Sequence, residues 1–226
     1  MKTLKEMEMP STIAIVDIET LGLKADALIT SIGCVIVDAV ELRIIDKFYE
    51  NVYRFCSDNK KRSTDKGTLR FWHSMPHKGD DGLKAHQEYL KSCKTDASQP
   101  LAIALDNFGI FLRKHFPEGT KMQVMGNGSE FDNVILCHAF EQTGIPCPWG
   151  YSGNQSLRTV VWMGRMMLKI DPKYDLPFKG IKHHALDDAI HEAETLISIL
   201  GSFADNHLIH AMTKDAINEV TATGRA

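Results

Sequence analysis

A mixed α/β sheet with helices packed on it, in one domain, is the fold this sequence predicts. Three observations lead there. Three apolar runs stand close together near the N-terminus, and the breaks between them are too short for crossover helices. The rest of the chain has mostly helical apolar spacing, with one more short strand inside it. The length of 226 residues, 43% apolar and 24% charged, is enough for a full core without disulfides or a structural metal.

The elements follow in order. TIAIVDIE (12–19) is a buried strand, LITSIGCVIVDA (28–39) a second and LRIIDKFYENV (42–52) a third, together an antiparallel meander. RFCSDNKKRSTDKG (54–67) is a polar, locally basic loop. TLRFWHSM (68–75) is a short helix before Pro76, and DGLKAHQEYLKSC (81–93) a second, weakly amphipathic one. SQPLAIALDNFGIFLRKHF (98–116) is a stronger helix, with Ser98 as its expected cap and Pro100 in its first turn. KMQVMG (121–126) is a strand, and SEFDNVILCHAFEQTG (129–144) is a helix stopped by glycine. PCPWGYSGNQS (146–156) is a loop. LRTVVWMGRMMLKI (157–170) and HHALDDAIHEAETLISILGSF (183–203) are helices, and 204–226 a further short helix that frays.

Composition narrows the function classes. A net charge of -3 shows no basic nucleic-acid footprint, although an acidic cluster can mask a mildly basic remainder. The five cysteines (34, 56, 93, 137, 147) are odd in number and form no CxxC pair. Free thiols in a reducing cytoplasm are the expectation, not a disulfide or zinc scaffold. The opening MKTLKEMEMP is too polar for a signal peptide. No apolar run approaches the ~20 residues of a membrane span, so no membrane partner is expected.

Acidic residues at element ends give the chemical signal. Asp17 and Glu19 close an apolar strand, at i and i+2 on one face, where acids are disfavoured. Asp132 lies in GNGSEFDN, where a strand meets a Gly-rich turn and a helix starts. HHALDDA (183–189) surrounds another helix start. Singly, Asp132, Asp187 and Asp188 are also what a helix N-terminus favours. Jointly, four carboxylates on one site repel unless a cation lies among them. Oxygen-rich acidic sites suit Mg²⁺ or Mn²⁺, and two such ions about 4 Å apart clamp a phosphodiester. A histidine beside them is suited to deprotonate water.

DIET with a following LG, then GNGSEFDN, then HHALDDA resembles the DEDDh 3′–5′ exonuclease superfamily. The motifs run in the family's order from 15 to 193. The resemblance is closest to phage and prophage exonucleases of the phage T4 exonuclease A kind and to Rv2179c-like exoribonuclease domains. TLRFWHSMP (68–76) is similar to their Thr-x-x-aromatic-Trp segment. The resemblance implies a ribonuclease H-like fold, a mixed five-stranded sheet flanked by helices. It would be a single domain over 1–226, with its core about 11–203 and a helical tail at 204–226. It implies two Mg²⁺ or Mn²⁺ ions. Asp17 would bridge both, Glu19 and Asp188 would ligate the first, and Asp132 would act from the other side. His183 would take the proton of the attacking water, with His184 as the alternative if the loop is shifted by one. Asp187 and Asp188 point about 100° apart on a helix, so one of them faces the metals.

The implied substrate is single-stranded nucleic acid with a free 3′ end, DNA favoured over RNA, released as nucleoside 5′-monophosphates. Oligoribonuclease-like trimming is the alternative. Several relatives are homodimers. Thr20 and Leu21 would touch the terminal nucleotide. Trp72 is a base-stacking surface or a core aromatic, and Phe131 likewise. Asn127 hydrogen-bonds a nucleotide or forms the turn. Lys60, Lys61, Arg62, Lys66 and Arg70 follow a phosphate backbone or form a solvated loop. Arg158 reaches a phosphate, although some relatives carry Asp where this chain has Leu157. A non-catalytic binding module is disfavoured because all four acids and the histidine are present. With those four acids set aside, the remaining chain carries +1.

Overall fold

The computed structural model describes the backbone of residues 10–223 and the side-chain surroundings as far as residue 206. Five strands form one sheet: β1 (Thr12–Thr20), β2 (Ile29–Asp38), β3 (Arg43–Asn51), β4 (Val124–Gly126) and β5 (Asn154–Ser156). Their order is β3-β2-β1-β4-β5. The first three are an antiparallel meander, and β4 and β5 run parallel to β1. The sheet is therefore mixed and five-stranded, flanked by helices. The fifth strand lies inside the segment read as a loop. Asn154–Ser156 is only three polar residues long, so it has no apolar alternation to betray it.

Alternation along β1 divides the core. Ala14, Val16 and Ile18 face one helical layer, α3 (Leu101–His115) and α4 (Asp132–Thr143), through Leu105, Phe108, Leu136 and Phe140. Ile13 and Ile15 face the other layer, α5 (Leu157–Met163) and α7 (Ala185–Thr223). There Val35 and Val37 of β2 meet Ala189, Ala193, Leu196 and Ile199 at helical spacing. Asp17 and Glu19 continue the odd row. They emerge on the α7 face, where that helix begins. α1 (Lys66–Ser74) and α2 (Gly79–Lys91) build a satellite cluster around Leu21, Trp72, Met75 and Tyr89. A short α6 (Pro172–Asp175) precedes the loop into α7.

Local chemistry moves several boundaries. α1 starts earlier than expected because Asp65 caps it, accepting from the Thr68 N–H at 2.8 Å. Ser98 does not cap α3. Its hydroxyl donates to the Lys94 carbonyl, Pro100 takes the cap position, and the Leu101 N–H donates to Cys56 Sγ at 3.4 Å. α4 begins at Asp132, not Ser129. The helix expected over 157–170 turns π-helical at Gly164–Leu168. The tail is no separate helix, because α7 runs unbroken to Thr223; residues 224–226 and 1–9 lie outside the described part. Among the described residues no helix is long and apolar enough to cross a membrane.

Gly33 lets α7 approach the sheet. It pairs with Asp17 across β1–β2, and a Cβ there would lie 2.3 Å from the Ala185 carbonyl carbon and 2.4 Å from the Leu186 nitrogen. Backbone cannot yield as a side chain does, so Gly33→Ala must push the start of α7 outward. The expected cost is about 1–3 kcal/mol of stability, together with a fall in activity as Asp188 and His183 move. Urea unfolding and a rate assay on the same preparation test this. Wild-type stability in Gly33→Ala would refute the close packing.

Candidate active site

The acids arrive from three directions. Asp17 and Glu19 project from the end of β1, next to an irregularity in the β1–β2 pairing between Glu19 and Thr20. Asp132 opens α4, buried, with Oδ1 accepting from the Ile18 N–H at 3.3 Å. That amide lies beyond the short β1–β4 ladder and has no strand partner on that side. Asn133 pins the same turn, donating to the Val124 carbonyl at 2.9 Å and to Asn154 Oδ1 at 3.0 Å. Gly126 leaves room for it, since a Cβ would meet Asp132 Oδ2 at 2.8 Å.

The third segment is a tied loop. Gly180 and His183 both have positive φ, +101° and +65°. Asp187 accepts from the Ile181 N–H at 2.8 Å, and Asp188 Oδ2 accepts from the His183 N–H at 2.7 Å. Two first-turn acids of α7 thus hold the loop that presents the histidine. Their side chains diverge as helix geometry requires. Asp188 lines the cavity and Asp187 does not. The adjacent histidines diverge too. The His183 ring stands edge-on to Phe71 at 5.0 Å and lines the acidic cavity. His184 packs on Tyr49 at 4.2 Å, with Glu88 and Asp187 beside it.

The resulting cavity of about 330 Å³ is lined by Asp17, Glu19, Asp132, Asp188, His183, Asn127, Phe131 and Arg158, and by one acid the sequence reading missed, Glu192. One ring nitrogen of His183 and one oxygen each of Glu19 and Asp188 lie within 4.8 Å of one another. Burial, then mutual repulsion, pushes Asp17 and Glu19 well above the usual carboxylate range. Burial lifts Asp132 to about 7 and Asp188 to about 6. His183 is lowered by burial and by Lys78 and Lys182, so it is neutral and able to accept a proton at neutral pH.

These residues fit a divalent cation. The donors are carboxylate oxygens and one imidazole. Among the described residues, no Lys, Arg or His is within ion-pair distance of Asp17, Glu19, Asp132, Asp188 or Glu192. Buried carboxylates left without any cation would be expensive.

The substrate-side expectations fare differently. Trp72 is 2% exposed, stacked on Tyr89, with Nε1 donating to the Thr20 carbonyl at 3.1 Å. It is a core residue, not a free stacking surface. Thr20 and Leu21 are also buried, and neither lines the acidic cavity. Arg62 is no phosphate follower. It is 4% exposed and donates to the Ala27, Ala25 and Ile135 carbonyls and to Gln142, tying its loop to α4. Lys60, Lys61, Lys66 and Arg70 remain exposed. Asn127 Oδ1 accepts from Lys173 at 2.9 Å, and its carbonyl accepts from the Arg158 N–H. Arg158 is exposed and paired with Glu130. Phe131 is half-buried at the cavity edge.

A mixed five-stranded sheet with acids at these strand and helix ends, around one histidine, forms a site suited to hydrolytic chemistry with divalent cations. The model of the 3′-5′ exoribonuclease Rv2179c-like domain matches residues 12–200, and the chain belongs to that family. Solved structures share the fold. The nuclease domain of 3′hExo, a DEDDh family member bound to rAMP, is 14% identical with a TM-score of 0.58, over 84% of this chain and 92% of that one. Cell-death related nuclease 4 (CRN-4) is 18% identical with a TM-score of 0.57, over 84% of this chain and 64% of that one. The zinc-bound complex of E. coli ExoI with single-stranded DNA is 16% identical with a TM-score of 0.56, over 91% of this chain but 43% of that one. No curated protein sequence matches.

Geometry places the two histidines in different surroundings, and a general base at His183 would make their variants differ. His183→Ala is expected to lower kcat about a hundredfold or more, the usual scale for losing a general base. His184→Ala should change the rate by less than about threefold while lowering stability through the lost Tyr49 packing. Single-turnover rates and melting curves of the two variants check this. A reversed pattern would assign the base to His184.

Proposed function

We propose that this protein is a divalent-metal-dependent 3′–5′ exoribonuclease that removes nucleoside 5′-monophosphates from single-stranded RNA. The observation that supports it most is the convergence of Asp17, Glu19, Asp132 and Asp188 with a neutral His183 on one cavity. The phage resemblance of the sequence favours DNA, and membership of an exoribonuclease domain family favours RNA. DNA remains the second reading, favoured by the fold shared with an exonuclease solved on single-stranded DNA.

Asp17, Glu19, Asp132 and Asp188 would hold Mg²⁺ or Mn²⁺, two ions in this reading. Such ions would supply charge neutralisation at the scissile phosphate and a lowered pKa for the attacking water. His183 accepts a proton from that water through a ring nitrogen. Water oxygen bonds to phosphorus as the bond from phosphorus to the upstream 3′ oxygen breaks. That oxygen takes up a proton and becomes the new 3′ hydroxyl. Phe131 and Asn127 border the cavity where the terminal nucleotide would lie, and Arg158 at its rim offers a phosphate contact once released from Glu130. The whole chain acts as one exonuclease domain in this reading.

The test uses 5′-labelled RNA and DNA oligonucleotides of one sequence, each with Mg²⁺, Mn²⁺ or EDTA. RNA shortening stepwise from the 3′ end, faster than DNA and stopped by EDTA, is the expected result. Faster DNA loss would reverse the sugar preference. No shortening of either by folded protein would overturn the activity.

A further inference from the structure

The helix that packs against His183 has a cavity on its other side. Residues two apart on a helix point about 200° apart. Phe71 of α1 stands against His183, while Leu69 and His73 turn the opposite way and line a cavity of about 420 Å³. Leu21, two residues past Glu19, lines it too. The walls carry one sign of charge. Arg54, Lys60, Arg62 and His73 face the cavity, and no carboxylate does. Arg62 is committed to backbone carbonyls and Gln142. Among the described residues, neither Arg54 nor Lys60 is within ion-pair distance of an acid. Arg54 Nη1 donates to the Tyr89 hydroxyl, but its Nε is buried with no acceptor. In a chain of net charge -3, cations gathered without acids favour an anion.

The same cavity has an exposed aromatic face. Phe55 is 53% exposed, and the backbone before it is tied down. The Tyr53 N–H donates to the Gln99 carbonyl at 2.7 Å, and the Arg54 N–H to the Ser92 carbonyl at 2.9 Å. The Arg54 guanidinium lies 4.5 Å from the Phe55 ring centroid, and the Tyr53 ring stands edge-on to it at 5.8 Å. These contacts hold the ring at the surface instead of burying it. A fixed ring facing solvent beside unpaired cations suits single-stranded nucleic acid. A base stacks on the ring, and phosphates meet the cations.

We infer that this cavity is a second nucleic-acid site, which holds an upstream nucleotide of the single strand, its base on Phe55 and its phosphates at Arg54 and Lys60. The term upstream rests on the proposed 3′–5′ exonuclease activity; binding itself needs no chemistry. A strand long enough to reach both cavities gains affinity that a dinucleotide cannot.

Fluorescence anisotropy of a 5′-fluorescein-labelled, twelve-nucleotide oligo(U) RNA in EDTA at pH 8 tests it. Without metal the acidic cavity repels phosphate, so the affinity read is that of the basic cavity. The parent should bind this RNA at least about tenfold more tightly than the labelled dinucleotide, and less tightly as salt rises. Lys60→Gln and Phe55→Ala should each weaken binding at least about fivefold. If Phe55→Ala fails to fold, Phe55→Leu keeps bulk without the aromatic face, and the same loss is expected. Tyr151→Ala, which removes an aromatic residue 92% exposed elsewhere, should match the parent. Parent-like binding by Lys60→Gln or by a folded Phe55 variant overturns the inference, as does equal affinity of the parent for the two RNAs. Incubation of the same RNA with Mg²⁺ keeps the two levels apart. If the parent shortens it while the variants bind like the parent, only the role of this cavity fails. If the variants lose binding and the parent never shortens it, the exonuclease reading fails and the nucleic-acid site stands.

Discussion

Asp17→Asn is expected to lower the exonuclease rate by at least about a thousandfold, on the order of 4 kcal/mol of barrier, while the protein stays folded. The reason is position. Asp17 is the carboxylate on which Asp132, Glu19, Glu192 and Asp188 all act. It stands at the centre of the cluster, opposite Gly33 and beneath the start of α7. Asparagine keeps the shape but removes the charge that would be shared between cations. The metal-free variant should melt at or above the parent temperature, because a repulsion has been removed. That combination distinguishes a functional acid from a structural one, whose loss would reduce stability and rate together. Steady-state rates on labelled RNA and melting curves without metal make the comparison. A rate within tenfold of the parent would refute the central role.

Much of the site was legible because strands report their faces. Apolar residues at 13 and 15 followed by acids at 17 and 19 form one row with period 2. The core side of that row and its acidic end are therefore set by the same alternation. The GNGSEFDN turn and the HHALDDA helix start were legible for a related reason: backbone turning and acids at helix starts leave local marks. Other features depend on contacts between distant segments. Trp72 reads equally well as a stacking platform or a core residue, and only the neighbouring Tyr89 and the Thr20 carbonyl decide. Arg62 sits among lysines that do face solvent, so its neighbours mislead. Its partners on α4 lie more than seventy residues away.

Glu192 was hidden by its own helix. In HEAETL it looks like one of two surface acids, and Glu194 is indeed half-exposed and paired with Lys179. The spacing of four from Asp188 was available, but it gains meaning only once Asp188 is known to face the sheet. β5 was hidden by polarity. Its parallel pairing with β4 is held by Asn154, whose side chain also receives Asn133 and Trp149. Side-chain hydrogen bonds do there what apolar burial does elsewhere in the sheet.

Chelation should abolish activity, and the stability of the metal-free protein should fall as pH rises. The sign follows from the direction of the shifts. Asp132 near 7 and Asp188 near 6 titrate above the roughly 3.9 of an unfolded chain. Such groups contribute stability that is fully present below about pH 4 and is lost as pH rises through 6 to 7. Divalent cations bind the charged form and reverse that loss. At a hundredfold excess over Kd the gain is about 2.7 kcal/mol, or about 5–10 °C in Tm for a chain of this size. Mg²⁺ should therefore raise the melting temperature strongly at pH 8 and little at pH 5.5, where protons compete for the same oxygens. Melting curves at both pH values, with Mg²⁺ and with EDTA, give the four temperatures needed. An equal shift at the two pH values would place the ion away from these acids. No shift at pH 8 would mean that the cluster tolerates its own charge without a cation, which the burial of Asp132 and Glu192 argues against.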